Sequence, residues 1–383
     1  MFKITSKALL ATAVSAALVL GGVSVSAFAA DATPAPSASP SKAPRVNPNK
    51  VAMDAFRAAQ ADFKVAQDKF KADKITFGTL ANSAAFQYAS KLYLVSNATS
   101  FSSASTFGSG MSVTSIGYMQ VGATTNTADI TLNGTNSVAG NIDVYGGAVA
   151  IGGNQTATNS GNITVSATGA YSGAGALNAA GNVTVNAASV TGTGNFTSAG
   201  SGGIAVTASS GSATLGGNFA ANTSATAPIV VRASGGITVS ASKTLTTNGG
   251  GAVLWARYLA TEGSTTAGAI LMNNSSGITT NGGRIVLAGT TQVDGNGIPT
   301  GHAYTTAAAG GVQLGTTDIA TDTNVSLSSS GGPITIYGQQ AGTANNAWGV
   351  QIRGGGTVNS GSGTITIDGK ADTTVGNAVE FDN

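Results

Sequence analysis

From about residue 100 the chain repeats short units in which β-branched apolar residues alternate with small or polar ones. Ile130-Thr131-Leu132 is followed by GNIDV (140–144), AVAI (148–151), GNITV (161–165), GNVTV (181–185), GIAV (203–206), GITV (236–239), PITI (333–336) and TITI (364–367). A period of two places one side chain set inward and the other outward, the signature of a half-buried strand. Gly140, Gly161 and Gly181 are 21 and 20 residues apart, and later units drift and carry insertions. A coil of about 20 residues with two or three strands cannot bury its apolar side alone, so the coils must stack, as in a parallel β-helix.

Stacking also predicts a register. With Ile163 and Val165 inward, Val183 and Val185 lie above them, Thr164 and Thr184 face solvent, and Asn162 sits under Asn182 in a side-chain amide ladder. If all of 100–383 coils this way, roughly 13 or 14 turns rising about 4.8 Å each make a stack on the order of 65 Å long. A β-sandwich array is the competing arrangement, but it calls for hairpin spacing and for more aromatic residues than the 6% present.

Upstream the periodicity changes. Phe56, Phe63, Phe70 and Phe77 recur every seven residues, with Ala59, Ala66 and Leu80 three residues after three of them, which predicts an apolar helical seam. Lys64/Asp68 and Lys69/Asp73 add i,i+4 pairs on the exposed face. The helical segment is placed at 51–95, with Tyr88, Leu92 and Val95 continuing its spacing past a weak point at Gly78. Its Phe stripe serves either packing on a neighbouring element or self-association.

Residues 31–50 hold five of the eight prolines among Ala and Ser and read as an extended linker. Residues 1–30 place Lys3 and Lys7 before an apolar run and end in Ala27-Phe28-Ala29-Ala30, the pattern of a cleaved secretory signal peptide. No later run is apolar enough to span a bilayer, so no retained transmembrane helix is expected.

Composition then narrows the chemistry. The chain has 55 Gly, no Cys, one His and only 8% charged residues. Disulfides, thiol nucleophiles and thiolate metal sites are excluded, and a histidine-rich zinc centre lacks ligands. Basic residues outnumber acidic nine to five over 31–100 and are outnumbered ten to six over 101–383, a balance that does not favour nucleic acid.

The acids Asp129, Asp143, Glu262, Asp294, Asp318, Asp322 and Asp368 are scattered along the chain, which argues against the clustered carboxylates of a β-helix polysaccharide-cleaving enzyme. Asp294-Gly295-Asn296-Gly297 lacks the spacing of a calcium loop and reads as a turn. His302 reads as a solvent-exposed loop residue. The candidate binding residues are Trp255, Arg257 and Tyr258 in LWARYL and Trp348 with Arg353 in AWGVQIR, able to stack on sugars or a protein partner. Packing is the competing role for each.

The stretch 249–289, with GGGAVLWA, GAI, ITTNGG and IVLAG, resembles the repeats of filamentous-haemagglutinin-like secreted adhesins. The resemblance is specific over about 40 residues and generic over the other repeats. It implies a right-handed parallel β-helix on, or released from, a bacterial surface, with an adhesin-like role. The whole reading is therefore a mainly β protein: an N-terminal α-helical segment followed by β-helix repeats over 100–383, secreted and cell-surface associated, non-enzymatic and without cofactor. Its expected partners are extracellular glycans or cell-surface proteins, with self-association through the Phe stripe. A structural matrix component and a polysaccharide-degrading enzyme are the alternatives.

Overall fold

The computed structural model describes residues 84–88, 91–95, 105–107, 117–223, 228–306, 310–316, 324–341, 348–371 and 377–381. The chain divides into two compact units, Met1–Ala66 and Gln67–Asn383, and every described residue belongs to the second. The signal peptide, the linker and Phe56, Phe63, Phe70 and Phe77 lie outside the described residues.

The described part is built of strands and contains no helix. One coil shows the plan: Asn141–Gly146 lies in a first sheet, Val149–Ile151 in a second and Gln155–Ala157 in a third, after which Ile163–Ala167 returns to the first. Successive returns stack side by side, giving sheets of 14, 11 and 9 strands. Nearly all pairings are parallel, a pattern that hairpin-built sandwiches do not produce and that is consistent with a parallel β-helix. The second sheet has one strand per coil and 11 strands, fewer than the 13 or 14 coils expected from a constant repeat. The difference comes from insertions: Ile285 pairs with Ile334 and Ala252 with Ile285, intervals far longer than the 20 residues from Ile163 to Val183.

The predicted register is the one observed. Ile163 pairs with Val183 and Val165 with Val185, all fully buried, while Thr164 lies beside Thr184 on the outer side. The same inner columns run from Ile142 and Val144 through Ile204 and Val206 to Ile229 and Val231. Each Val or Ile so buried contributes on the order of 1.5–3 kcal/mol, and almost all of it depends on the coils above and below. In the third sheet Leu177, Phe196, Phe219, Leu245, Ile278 and Leu327 form one column. Phe196 and Phe219 stack at 4.7 Å between ring centroids, the spacing of the strands that carry them. Tyr171 meets Phe196 edge-on at 6.0 Å.

The corner between the third and first sheets is made in two ways. In the earlier coils it is Gly-Asn: Asn141 Oδ1 accepts the Asn162 backbone N–H at 2.9 Å, Asn162 Oδ1 the Asn182 N–H at 2.7 Å, and Asn182 Oδ1 the Gly203 N–H at 2.8 Å. The Asn182 side-chain amide also reaches Asn162 Oδ1 at 3.2 Å, so the expected amide ladder exists. Its main work is to satisfy backbone N–H groups that the turning strand leaves without a ladder partner. Glycine precedes each Asn because a Cβ on Gly161 would come within 2.1 Å of the Gly140 carbonyl oxygen.

In the later coils the same corner reads Thr247-Asn-Gly-Gly250, Thr280-Asn-Gly-Gly283, Ser329-Ser-Gly-Gly332 and Ser360-Gly-Ser-Gly363. Each buried or half-buried hydroxyl donates to the carbonyl three residues on. Thr247 also reaches the Thr280 carbonyl and Ser329 the Ser360 carbonyl, so this corner too is tied coil to coil.

Two expectations are corrected at the start of the fold. Residues 84–95 were expected to end the helical segment, yet Ala84–Tyr88 and Lys91–Val95 form an antiparallel pair, and the second strand lies parallel to Tyr118–Val121. The run Lys91-Leu-Tyr-Leu-Val95 has strand composition, and the exposed edge of the first sheet supplies its hydrogen bonds, which outweighs a spacing compatible with a helix. The coil therefore begins before residue 100. The remainder of the expected helix, 51–83, lies outside the described residues.

Interior columns and outer groups respond differently to substitution. Burial pushes the Tyr171 phenol well above the ordinary tyrosine range, and no described protein group accepts its hydroxyl. Tyr171→Phe should leave stability unchanged or raise it by up to about 1 kcal/mol, because it deletes a buried polar group without a protein partner. Phe219→Ala should cost about 3–5 kcal/mol. Native-state hydrogen exchange of the flanking coils is the suitable measurement, since stacked repeats open locally. Equal losses from both variants would contradict the assignment of the column's stability to ring packing.

Candidate functional site

Charge is distributed unevenly along the coils. No charged residue occurs between Asp143 and Arg232, whereas Arg232, Arg257, Glu262, Arg284, Asp294, Arg353, Asp368 and Lys370 follow. Two elaborations of the coil lie in that charged part: the loop 257–268, and the extended strand Ile285–Val293, which turns back antiparallel to Pro299–Gly301.

The hairpin covers an apolar patch on the outside of the first sheet. Val253, Val286 and Ala288 are buried there although they point away from the interior, and Val230, Trp255, Ile298 and Tyr337 pack around them. At its tip Asp294 Oδ1 accepts the backbone N–H groups of Asn296 and Ile298 at 2.8 and 2.9 Å, and Gly297 has φ +74°. The hydrogen bond from Ile298 heads the causes that hold this carboxyl below the ordinary aspartate range. The segment is thus a turn that uses its own carboxylate. Among the described residues no group of three side chains is arranged to hold a metal ion.

The five candidate binding residues separate into two kinds. Trp255 points outward while Leu254 beside it points into the core, as alternation requires, but its Nε1–H donates to the Thr290 carbonyl at 2.6 Å. Arg232 lies over its ring at 5.1 Å and Tyr258 meets its edge at 6.2 Å. Arg257 is fully buried with φ +52° and has no surface to offer a ligand. Its guanidinium donates to the carbonyls of His302 and Ser264 and sits over the Tyr304 ring at 4.6 Å. Desolvation pushes it below the usual arginine range, against the opposing pull of Glu262 and Tyr304. Trp348 is 7% exposed and carries the Arg353 guanidinium over its ring at 5.2 Å. Arg257 and Trp348 are therefore packing residues, while Trp255, Tyr258 and Arg353 remain partly exposed.

The loop that Arg257 secures forms one wall of an open groove of about 560 Å³, lined by Ser210, Ser234, Leu259, Thr261, Ser264 and Thr266 among others. Leu259 is 59% exposed, so the groove offers one large apolar side chain among hydroxyls and alanines, and no charge. The groove was not legible in the sequence, because one of its walls is itself an insertion into the repeat, the loop 257–268.

A second assembly was also missed. His302, expected in an exposed loop, is 4% exposed, because the hairpin's return strand presses it against the first sheet. Its Nδ1 lies 2.8 Å from Glu262 Oε1, and its backbone N–H donates to Glu262 Oε2 at 3.1 Å. Its Nε2 lies 3.2 Å from Asp368 Oδ2, an ion-pair distance outside hydrogen-bond geometry. Lys370 Nζ is 3.4 Å from Glu262 Oε1 and 3.3 Å from His302 Nδ1. The acids Glu262 and Asp368, which appear scattered in sequence, thus meet at one histidine. Desolvation acts to raise the Glu262 carboxyl, but the His302 contacts and Lys370 outweigh it and hold the group below the ordinary glutamate range.

No protein-family model, curated protein or solved structure matches this chain. The parallel architecture alone does not identify a filamentous-haemagglutinin-like protein.

Arg257→Lys tests whether the guanidinium fork organises the loop. Lysine keeps the charge but cannot span the Ser264 and His302 carbonyls together, so the loop should lose about 2–3 kcal/mol of local stability. Faster amide exchange at Gly268 and Thr291, whose N–H groups bond to Tyr304 and Ala260, is the expected readout. An unchanged rate at both would show that the loop is held by other contacts.

Proposed function

We propose that the protein is a secreted bacterial surface component with an adhesin-like role, in which a right-handed parallel β-helix of filamentous-haemagglutinin-like type presents its outer faces to cells or glycans. The observation that carries this reading is the outer surface of the uncharged coils. Ser172, Thr191 and Thr214 form one in-register column on the second sheet, at the strand spacing and within the stretch 144–231 that carries no charged residue. Repeated hydroxyls on a stiff support favour many weak contacts with neutral, hydroxyl-rich ligands, and linked contacts gain strength by avidity. The adjoining hydroxyl-lined groove with Leu259 gives such a ligand an apolar face to rest on. Residues 1–30 support export.

Glu262 directs both carboxylate oxygens at His302, a use that supports a structural rather than a hydrolytic role for this acid. The second reading is a structural matrix component.

Binding of the whole chain to a glycan array and to whole cells is the direct test. Saturable binding that tolerates salt, and that weakens at least about tenfold in Leu259→Asp, is the expected outcome for a neutral groove. Concentration-dependent fibres without binding would replace the adhesin by the matrix reading. Release of reducing or unsaturated ends from a polysaccharide would overturn both.

A further inference from the structure

Three parts of the chain meet at His302: the loop that carries Glu262, the return strand of the hairpin, and the strand Ile365–Ala371 that carries Asp368 and Lys370. The groups facing the imidazole are Glu262, Asp368 and Lys370, with the Tyr337 ring at 5.6 Å from the neighbouring strand. Arg257 contacts the His302 carbonyl and stacks on Tyr304 in the same segment.

A neutral imidazole has one N–H and one lone pair. With the proton on Nδ1, the Nε2 lone pair faces the Asp368 carboxylate; with the proton on Nε2, the Nδ1 lone pair faces Glu262 at 2.8 Å and only Lys370 can donate to it. Either tautomer leaves one carboxylate opposite a lone pair. The imidazolium places an N–H at hydrogen-bond distance from Glu262 and its positive charge at ion-pair distance from Asp368.

We propose that Glu262, His302 and Asp368 form a proton-operated latch that fastens the groove-forming loop 257–268 and the hairpin to the strand Ile365–Ala371. The latch is closed when the imidazole carries two protons and loosens when it loses one. Its acid limit is set by Glu262. Because this carboxyl is held below its ordinary range, its contribution is complete above the unfolded glutamate value and is lost as pH falls through the lower folded value. The loop's attachment therefore weakens when Glu262 is protonated and when the imidazole is neutral, and the groove wall opens in both states.

His302 is the only histidine in the chain, so a long-range ¹H–¹⁵N spectrum of the uniformly labelled protein reports its protonation state without assignment ambiguity. Amide exchange at Gly268 and Thr291 reads the loop, with Val185 in the uncharged coils as reference. After correction for intrinsic exchange, both loop amides should be at least about threefold better protected with His302 doubly protonated than with it neutral, the scale of a partly exposed ion pair. Val185 should show no such difference. Asp368→Asn, at a half-exposed position, should remove the difference. Equal protection in the two protonation states of the unsubstituted protein would overturn the latch whatever the variant does, and so would a pH response that survives Asp368→Asn.

Discussion

Every described feature depends on the parallel hydrogen-bond ladder that sets each coil on the one before it. The ladder repeats at one strand spacing, so a side chain meets its own counterpart in the next coil, and like must pack on like. Valine on valine and phenylalanine on phenylalanine follow directly, as in the Val165–Val185 and Phe196–Phe219 pairs. The same constraint acts at the corners, where an asparagine carbonyl finds the N–H of the next coil because the next coil turns at the same place. A corner that could not satisfy its backbone groups would interrupt the ladder on both sides. The Gly-Asn and Thr/Ser-x-x-Gly corners are two solutions to that one problem, and the exchange of one for the other falls near the point where the uncharged coils give way to the charged ones.

A ladder of this kind makes the coil tolerant of insertions at corners and intolerant of them within strands. Loop 257–268 and the hairpin after Ile285 leave the coil and return without disturbing the inner columns, since Leu254 still pairs with Leu287 and Leu287 with Ile336. What they change is the outside. By folding back over the first sheet the hairpin converts outward positions such as Val286 and Ala288 into a second small core. That burial lets these strands depart from alternation: Ile285–Val293 starts with six buried residues in succession, where a half-exposed strand would alternate.

The parts of the fold legible in the sequence are those governed by this local period. Alternation around Ile163 and Val183 carried the register, and the Gly-Asn repeats carried the corner ladder, because both depend on residues about 20 apart with no insertion between them. The expected helix failed over 84–95 because a seven-residue spacing of apolar residues says nothing about an adjacent sheet edge able to pair with Lys91–Val95. The site was less legible for a related reason. Glu262 and Lys370 meet at 3.4 Å although 108 residues separate them, and their encounter is fixed by the lengths of intervening insertions rather than by any motif. Packing and a surface role for Arg257 stayed undecided in sequence because LWARYL shows an aromatic-basic cluster but not the positive φ at a residue that the fold buries completely.

The contrast between the two halves of the coil bears on how the fold divides its labour. The uncharged coils satisfy their backbone groups within the ladder and present hydroxyls that no proton can switch. The charged coils place their ionisable groups where segments distant in sequence must be held together, at Arg257 under the loop and at His302 between two carboxylates. Fastening by charge is weaker and more conditional than fastening by the ladder, since half-exposed groups such as Asp368 and Lys370 retain much of their hydration. The conditional contacts therefore secure the elaborations and leave the coil itself untouched. A change in protonation can move the wall of the groove while the inner columns, which among the described residues contain no ionisable group other than Tyr171, stay in register.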